Sequence, residues 1–289
     1  MSKIFPNLNL SGGVDPRLWN LSVEEKATVV ANRTKRQNNK QSLKNIRLKE
    51  IATDQEARQR GPQIKKSFKL SDLKEIEPLT TNQERALLSW DGDKNLFLSG
   101  SAGTGKSFLA CYMALEEVLS TDTLLNKVVI IRSAQQSKVI GFTPGDINEK
   151  IAPYEAPYID IFAKLLPYKT SYESAKQIGL LEFHSTSFLR GLNLDNCVLI
   201  FDEVQNSQWN EVNLVITRLG ENSRVILCGD NAQTDLNEHK HETNCIRELL
   251  EMVEHYMPTF ENIRFTAKDC VRSGLVKEWL LACEKIGKY

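Results

Sequence analysis

The sequence predicts an α/β fold with a mainly parallel sheet, because three observations agree. From Pro78 onward, short apolar runs alternate with longer amphipathic runs, as in strands joined by helices. A glycine-rich loop follows the first of these apolar runs, and an acidic pair ends a later one. In a parallel sheet such loops meet at the carboxyl ends of the strands, where ligands bind. We therefore expect a ligand site at the carboxyl ends of the strands and helices on both faces of the sheet.

The same periodicity assigns the individual elements. Strands are predicted at 94–99, 127–132, 180–184, 197–202, 224–228 and 262–266. Helices are predicted at 82–90, 105–119, 146–166, 208–219, 243–256 and 271–286. Asp146 is the expected N-cap of the third helix, and Pro153 and Pro157 are expected to bend or interrupt it.

The first strand leads into a phosphate-binding pattern. Residues 100–107 read GSAGTGKS, which matches G-x-x-x-x-G-K-[ST]. The glycines allow backbone N–H groups to surround a phosphate, and the following helix directs its positive end to the same point. We predict that a nucleoside triphosphate binds the eight residues Gly100, Ser101, Ala102, Gly103, Thr104, Gly105, Lys106 and Ser107. Lys106 would neutralise charge on the β- and γ-phosphates.

The fourth strand ends in two carboxylates, Asp202 and Glu203. An acidic pair at the end of a buried strand is costly unless it has a use. Asp202 would hold Mg²⁺ through water beside Ser107, and Glu203 would polarise the water that attacks the γ-phosphorus. A carboxylate beside the metal-binding residue favours attack by water, so hydrolysis is preferred to a small-molecule kinase reaction.

The fifth strand ends in Gly229-Asp230-x-x-Gln233. The amide of Gln233 would sense the γ-phosphate or orient water by hydrogen bonding, which also argues against a kinase. The sequence has no further acidic cluster that would bind a second metal pair, so nuclease activity has no support.

Charge is distributed unevenly along the 289 residues, although the net charge is zero. Residues 31–70 carry 12 Lys and Arg against 3 Asp and Glu, whereas 71–289 carry 22 against 31. This divides the chain into a basic N-terminal arm, 1–75, and a domain, 76–289. The arm either contacts nucleic-acid phosphates or is a solvated tail, and the residues leave both open.

Cysteine usage and hydropathy predict the compartment. The six cysteines are scattered without a C-x-x-C pair, as expected of buried reduced thiols in a cytoplasmic protein. The sequence contains no run of apolar residues long enough for a signal peptide or a membrane span, so no membrane partner is expected.

Five segments together resemble PhoH-like proteins, which are relatives of nucleic-acid-dependent superfamily 1 helicases. They are LSGSAGTGKS, IIRSAQQSKVIGFTPGDINEKIAPY, FLRGLNLDNCVLIFDEVQN, TRLGENSRVILCGDNAQTDL and FTAKDCVRSGLVKEWL. The resemblance runs from about Leu79 to the C-terminus and implies a RecA-like core that uses ATP and Mg²⁺. It also implies RNA or single-stranded DNA as a partner and a homo-oligomer, expected to be a hexameric ring. The compact form is similar to phage-encoded members.

The resemblance also suggests roles for single residues. Gln83 is similar to the glutamine that contacts the adenine edge in related helicases, although the residues alone give only a polar helix start. Superfamily 1 helicases close the ATP site with an arginine from a second core, and this chain has residues for one core. Arg218 from a neighbouring subunit and Arg272 from the same chain are the candidates, with Arg190 third; a plain salt bridge is the alternative for each.

Arg132 ends the second predicted strand and has two interpretations, a contact to nucleic-acid phosphate or an internal ion pair, of which we prefer the first. The leading functional hypothesis is an ATPase that couples hydrolysis to RNA or DNA binding, remodelling or unwinding. The alternative is an ATP-gated oligomeric assembly protein without unwinding activity.

Overall fold

Six parallel strands form one sheet in the order β3-β2-β4-β5-β1-β6. A computed structural model describes residues 68–133, 147–189, 191, 193–230 and 245–286. The strands are β1 (Asn95–Gly100), β2 (Lys127–Arg132), β3 (Leu181–Ser185), β4 (Cys197–Asp202), β5 (Arg224–Gly229) and β6 (Phe260–Phe265). The predicted α/β fold with a parallel sheet is confirmed.

Seven α-helices accompany the sheet in the part of the chain that the structure describes. They are α1 (Thr81–Asp91), α2 (Lys106–Leu119), α3 (Ile147–Leu165), α4 (Ser171–Gln177), α5 (Trp209–Ile216), α6 (Ile246–His255) and α7 (Gly274–Lys285). The short helix α4 has no counterpart in the sequence prediction. It is only seven residues long, which is too short for a helical period to be read.

Alternate strand residues belong to two different apolar clusters, one on each face of the sheet. Leu98 and Ile200 pack with residues of α1, α2, α3 and α4, while Phe97 and Leu199 pack with residues of α5 and α6. Every residue of β4 is buried, which explains why its sequence is a continuous apolar run. The expectation of helices on both faces is confirmed.

Helix α3 continues through both of its prolines, so the prediction that they interrupt it is wrong, while the alternative, a bend, stays a prediction. Pro153 and Pro157 are one turn apart and therefore lie on the same side of the helix. The side chains of Tyr158 and Phe162 are completely buried, and their packing stabilises the helix across the missing N–H donors. The predicted cap, Asp146, lies outside the described residues.

The last residues of the predicted basic arm pack on the domain. Phe68 and Leu73 contact the apolar cluster beneath α1 and α2, and Lys74 N donates to Leu165 O over 2.9 Å. Residues 1–67, which hold most of the predicted arm, lie outside the described residues. All six cysteines are free, and five of them are buried, as expected.

Candidate active site

The phosphate loop joins the carboxyl end of β1 to the first residue of α2. Gly100 has φ +105°, and a Cβ atom there would lie 1.9 Å from the carbonyl oxygen of Phe265 on β6. Gly105, with φ +84°, precedes Lys106 at the N-terminus of the helix. Both positions need glycine, the first because of the neighbouring strand and the second because of its left-handed backbone. The loop therefore has the strand-to-helix context that its sequence pattern requires.

Lys106 folds back onto its own loop. Its Nζ donates to Gly100 O over 2.6 Å and to Ser101 O over 2.7 Å. Burial is the largest influence on the Lys106 ammonium and lowers its pKa, while the carboxylate of Asp230 acts in the opposite direction. A phosphate oxygen in the loop would compete with these carbonyls for the ammonium group.

Asp202 is buried at the end of β4, and each of its carboxylate oxygens accepts one hydrogen bond. Its Oδ1 accepts from Glu203 N over 2.9 Å, and its Oδ2 accepts from Tyr158 OH of α3 over 2.7 Å. Burial, followed by the charge of Asp202, raises the pKa of Tyr158, so the phenol remains the donor. Each carboxylate oxygen keeps further lone pairs, and oxygen is the ligand that Mg²⁺ prefers. The carboxylate of Asp202 therefore suits this metal ion, and the assignment of Asp202 and Ser107 as its ligands stays a prediction.

Glu203 follows Asp202 in a left-handed conformation, with φ 54°. Its Oε2 accepts from Gln205 Nε2 over 2.5 Å, and its Oε1 lies 3.7 Å from Arg132 Nη2. Burial and the charge of Asp202 raise the pKa of Glu203, while Arg132 lowers it. The preferred interpretation of Arg132 as a nucleic-acid contact is thus corrected: its guanidinium forms the internal ion pair.

Sequence reasoning missed two residues of this site, Gln205 and Tyr158. Gln205 is almost completely buried, and its Oε1 accepts from Asp230 N over 3.0 Å while its Nε2 binds Glu203. Its position two residues after the acidic pair was the one available signal. Tyr158 gave no such signal, because its partner Asp202 is 44 residues away in the sequence.

Gln83 lies beside the phosphate loop, at the start of α1. Its Nε2 donates to Thr104 O over 3.0 Å, and its Oε1 accepts from Leu79 N over 2.8 Å. An open cavity of about 640 Å³ adjoins the start of α1 and is lined by Leu79, Thr80, Thr81, Asn82, Thr266, Lys268, Asp269, Cys270, Val271 and Lys277. The adenine role of Gln83 stays a prediction; its neighbour Asn82 lines the cavity.

The two arginine candidates lie at opposite ends of the strands. Arg272 lies against its own phosphate loop, since a Cβ atom on Gly103 would be 3.0 Å from Arg272 Cδ. The carbonyl oxygen of Arg218 accepts from Leu194 N, at the end of the sheet where β4 and β5 begin. The six residues of a strand such as β5 span about 20 Å, so Arg218 is remote from its own loop. Gln233 and Arg190 lie outside the described residues.

Comparison with known proteins identifies the family. Residues 75–284 match the family model described as PhoH-like protein. The chain belongs to the PhoH family. Protein PhoH of Escherichia coli (strain K12) is 31% identical to it over 222 residues, which are 73% of this chain and 60% of that protein. The PhoH-like protein of Bacillus subtilis (strain 168) is 29% identical over 214 residues, which are 73% of this chain and 65% of that protein. This PhoH-family chain thus aligns with less than two thirds of each relative's length.

Two solved structures were matched to part of this PhoH-family chain. The large terminase from a thermophilic bacteriophage, in complex with ADP, has a TM-score of 0.41 and 14% identity over 70% of this chain and 49% of that chain. A structure of Pif1 helicases unwinding forked double-stranded DNA has a TM-score of 0.29 and 15% identity over 65% of this chain and 44% of that chain.

Among the helices that the structure describes, none is long and apolar enough to cross a membrane.

Proposed function

We propose that this chain is a Mg²⁺-dependent ATPase that couples hydrolysis to the binding, remodelling or unwinding of RNA or single-stranded DNA. The observation that carries the proposal is the proximity of Lys106 to Asp202 and Glu203 at the carboxyl ends of the strands, where both carboxylates act on the Lys106 ammonium. Lys106 carries charge for the phosphates, Asp202 offers oxygen to a metal ion, and Glu203 offers a base to water.

In the proposed reaction the Lys106 ammonium exchanges its two loop carbonyls for β- and γ-phosphate oxygens. Asp202 and Ser107 would hold Mg²⁺, which neutralises charge on those oxygens when bound. Glu203 accepts a proton from water as the water oxygen attacks the γ-phosphorus. The bond to the β–γ bridging oxygen breaks, and ADP keeps that electron pair. The raised pKa of Glu203 makes it a better proton acceptor.

The nucleic-acid part of the proposal rests on charge and on the family. Residues 31–70 carry 12 Lys and Arg against 3 Asp and Glu, and this positive charge suits contact with phosphates. The resemblance to nucleic-acid-dependent helicases is the second support. A cytoplasmic location belongs to the same proposal and is supported by the six free cysteines.

A ring of subunits, expected to be a hexamer, is part of the proposal. The backbone of Arg218 lies where β4 and β5 begin, at the other end of the strands from its own phosphate loop, so in this proposal it serves the ATP site of a neighbour. Leu275 and Trp279 of α7 are 76% and 66% exposed, and such apolar residues are typical of a subunit contact. The same apolar residues favour the second candidate, an ATP-gated assembly protein without unwinding activity.

The deciding experiment measures ATP hydrolysis by the purified protein with no polymer, with single-stranded RNA and with single-stranded DNA. Glu203→Gln is the control for contaminating activity. Stimulation by one polymer supports the nucleic-acid-coupled ATPase and identifies its polymer. Hydrolysis that is indifferent to both polymers would favour the ATP-gated assembly protein, and absence of hydrolysis under all conditions would refute the ATPase.

A further inference from the structure

Helix α3 places two tyrosines, one turn apart, against the acidic pair of the active site. Tyr158 is fully buried and donates from its hydroxyl to Asp202 Oδ2 over 2.7 Å. Tyr154 lies under the guanidinium of Arg132, whose Cζ is 5.8 Å from the centre of the ring. Arg132 in turn forms the ion pair with Glu203. One helix therefore reaches both carboxylates, one directly and one through an arginine.

Helix α4 holds α3 in this position from the other side. Glu155 of α3 accepts from Tyr172 OH over 3.1 Å and from Lys176 Nζ over 2.6 Å. The rings of Phe162 and Tyr172 also meet edge to face, with 5.5 Å between their centres. These contacts anchor the helix that carries Tyr154 and Tyr158, although none of them belongs to the phosphate loop or to the strand ends.

We propose that α3 is a positioning element for the ATPase reaction. Tyr158 fixes the orientation of the Asp202 carboxylate, which would hold the metal ion. Tyr154 holds Arg132, and Arg132 in turn fixes the orientation of the Glu203 carboxylate, which would activate the attacking water. The inference rests on the proposed ATPase function. Two hydrogen bonds, from Glu203 N and Tyr158 OH, leave the Asp202 carboxylate one orientation, and such bonds to a metal-binding carboxylate control its metal affinity.

The two tyrosines are expected to have different effects when changed. Tyr158→Phe removes one hydroxyl and keeps the ring, so the metal affinity falls while the fold persists. Tyr154→Leu removes the ring beneath Arg132, so turnover falls while the metal affinity persists. Tyr154→Phe keeps the aromatic face and restores turnover, because a phenyl ring also attracts a guanidinium. A purely structural role for α3 would not separate these two readouts.

The metal readout uses Mn²⁺ as the probe, with a non-hydrolysable ATP analogue bound to the full chain. Electron paramagnetic resonance measures free and bound Mn²⁺. Tyr158→Phe is expected to weaken Mn²⁺ binding about tenfold. The matched control is Tyr112→Phe, which removes another buried phenol, one that donates to Glu116 over 3.1 Å on α2, and leaves the Mn²⁺ affinity unchanged. Affinity of Tyr158→Phe within about twofold of wild type would overturn the role of Tyr158.

The turnover readout compares kcat for the wild type, Tyr154→Leu and Tyr154→Phe. We expect about a tenfold loss for Tyr154→Leu and recovery for Tyr154→Phe. Wild-type turnover in Tyr154→Leu, or equal losses in both variants, would overturn the role of Tyr154. If Tyr158→Phe fails to fold, this pair decides the proposal. A wild type that binds Mn²⁺ with the analogue but hydrolyses no ATP refutes the proposed function, whereas the Mn²⁺ measurement still tests Tyr158.

Discussion

Gln205 donates a hydrogen bond from its side-chain Nε2 to Glu203 Oε2 over 2.5 Å. The other end of the same amide, Oε1, accepts from the backbone N–H of Asp230 over 3.0 Å. A single buried side chain thus ties the end of β5 to the carboxylate that is proposed to activate water. Because the amide has little access to water, loss of either bond would be costly.

Gln205→Leu is therefore expected to lower kcat about tenfold, because Glu203 loses the bond that orients it. The free energy of unfolding should also fall by about 1–3 kcal/mol, because buried polar groups lose a partner. The affinity for ATP should persist, since the carboxylate that Gln205 binds is proposed to activate water and not to hold the nucleotide. Steady-state hydrolysis and equilibrium binding of a fluorescent ATP analogue measure kcat and the ATP affinity. Gln177→Leu, on the exposed end of α4, is the control. An unchanged kcat would show that Gln205 does not position Glu203.

Glu203→Gln should abolish hydrolysis and leave ATP bound. The amide keeps the size of the side chain but cannot accept the proton, and loss of a general base typically costs 10²–10⁴-fold in rate. Single-turnover hydrolysis and retention of ATP on the protein check the two halves of this expectation. Glu221→Gln, an exposed residue where β5 begins, should behave as wild type. Turnover near the wild-type rate would mean that another group activates water.

Arg132→Gln should move the acidic limb of the pH–rate profile to higher pH. Glu203 must be ionised to accept a proton, so activity falls as the pH drops through its pKa. Burial and Asp202 raise that pKa, and Arg132 opposes them, so removing Arg132 raises it further. The measurement is kcat against pH, with Lys127→Gln as the control because Lys127 pairs with Glu182 instead. A limb that stays in place or moves to lower pH would contradict this electrostatic role.

The parts of the site that are contiguous in sequence were predictable, and those that depend on packing were not. The phosphate loop and the pair Asp202–Glu203 each follow an apolar run, so local pattern placed them at strand ends. Tyr158 and Gln205 meet partners 44 and 25 residues away, and only the folded chain reveals such pairs. The rule that proline interrupts a helix failed in α3 because local propensity takes no account of the burial of Tyr158.

Removal of residues 1–67 tests the basic arm. If its Lys and Arg contact phosphates, the shortened chain should bind single-stranded RNA or DNA more weakly, and its affinity should depend less steeply on salt. Fluorescence anisotropy over a series of salt concentrations measures both properties. Basal ATP hydrolysis is the control for folding, because the deletion stops before Phe68, which packs on the domain. An unchanged salt dependence would indicate a solvated tail.

Mixing experiments distinguish the two arginine candidates. Arg272 lies beside its own phosphate loop, whereas Arg218 lies at the other end of the strands, where β4 and β5 begin. Arg218→Ala subunits lack the finger that they would give to a neighbour, but they keep an intact Glu203. Glu203→Gln subunits have the opposite defect. If Arg218 acts between subunits, a mixed oligomer contains sites with both groups, and part of the hydrolysis returns although each variant alone is inactive.

The parallel mixture of Arg272→Ala with Glu203→Gln should stay inactive. Arg272 lies against Gly103 of the same chain, so the two defects cannot compensate each other across a subunit contact. Hydrolysis is measured after the purified variants are mixed in varied ratios, and subunit exchange is followed independently by energy transfer between labelled chains. If exchange occurs and only the Arg272 mixture recovers activity, the assignment is reversed: Arg272 acts on a neighbour, and Arg218 is a structural residue.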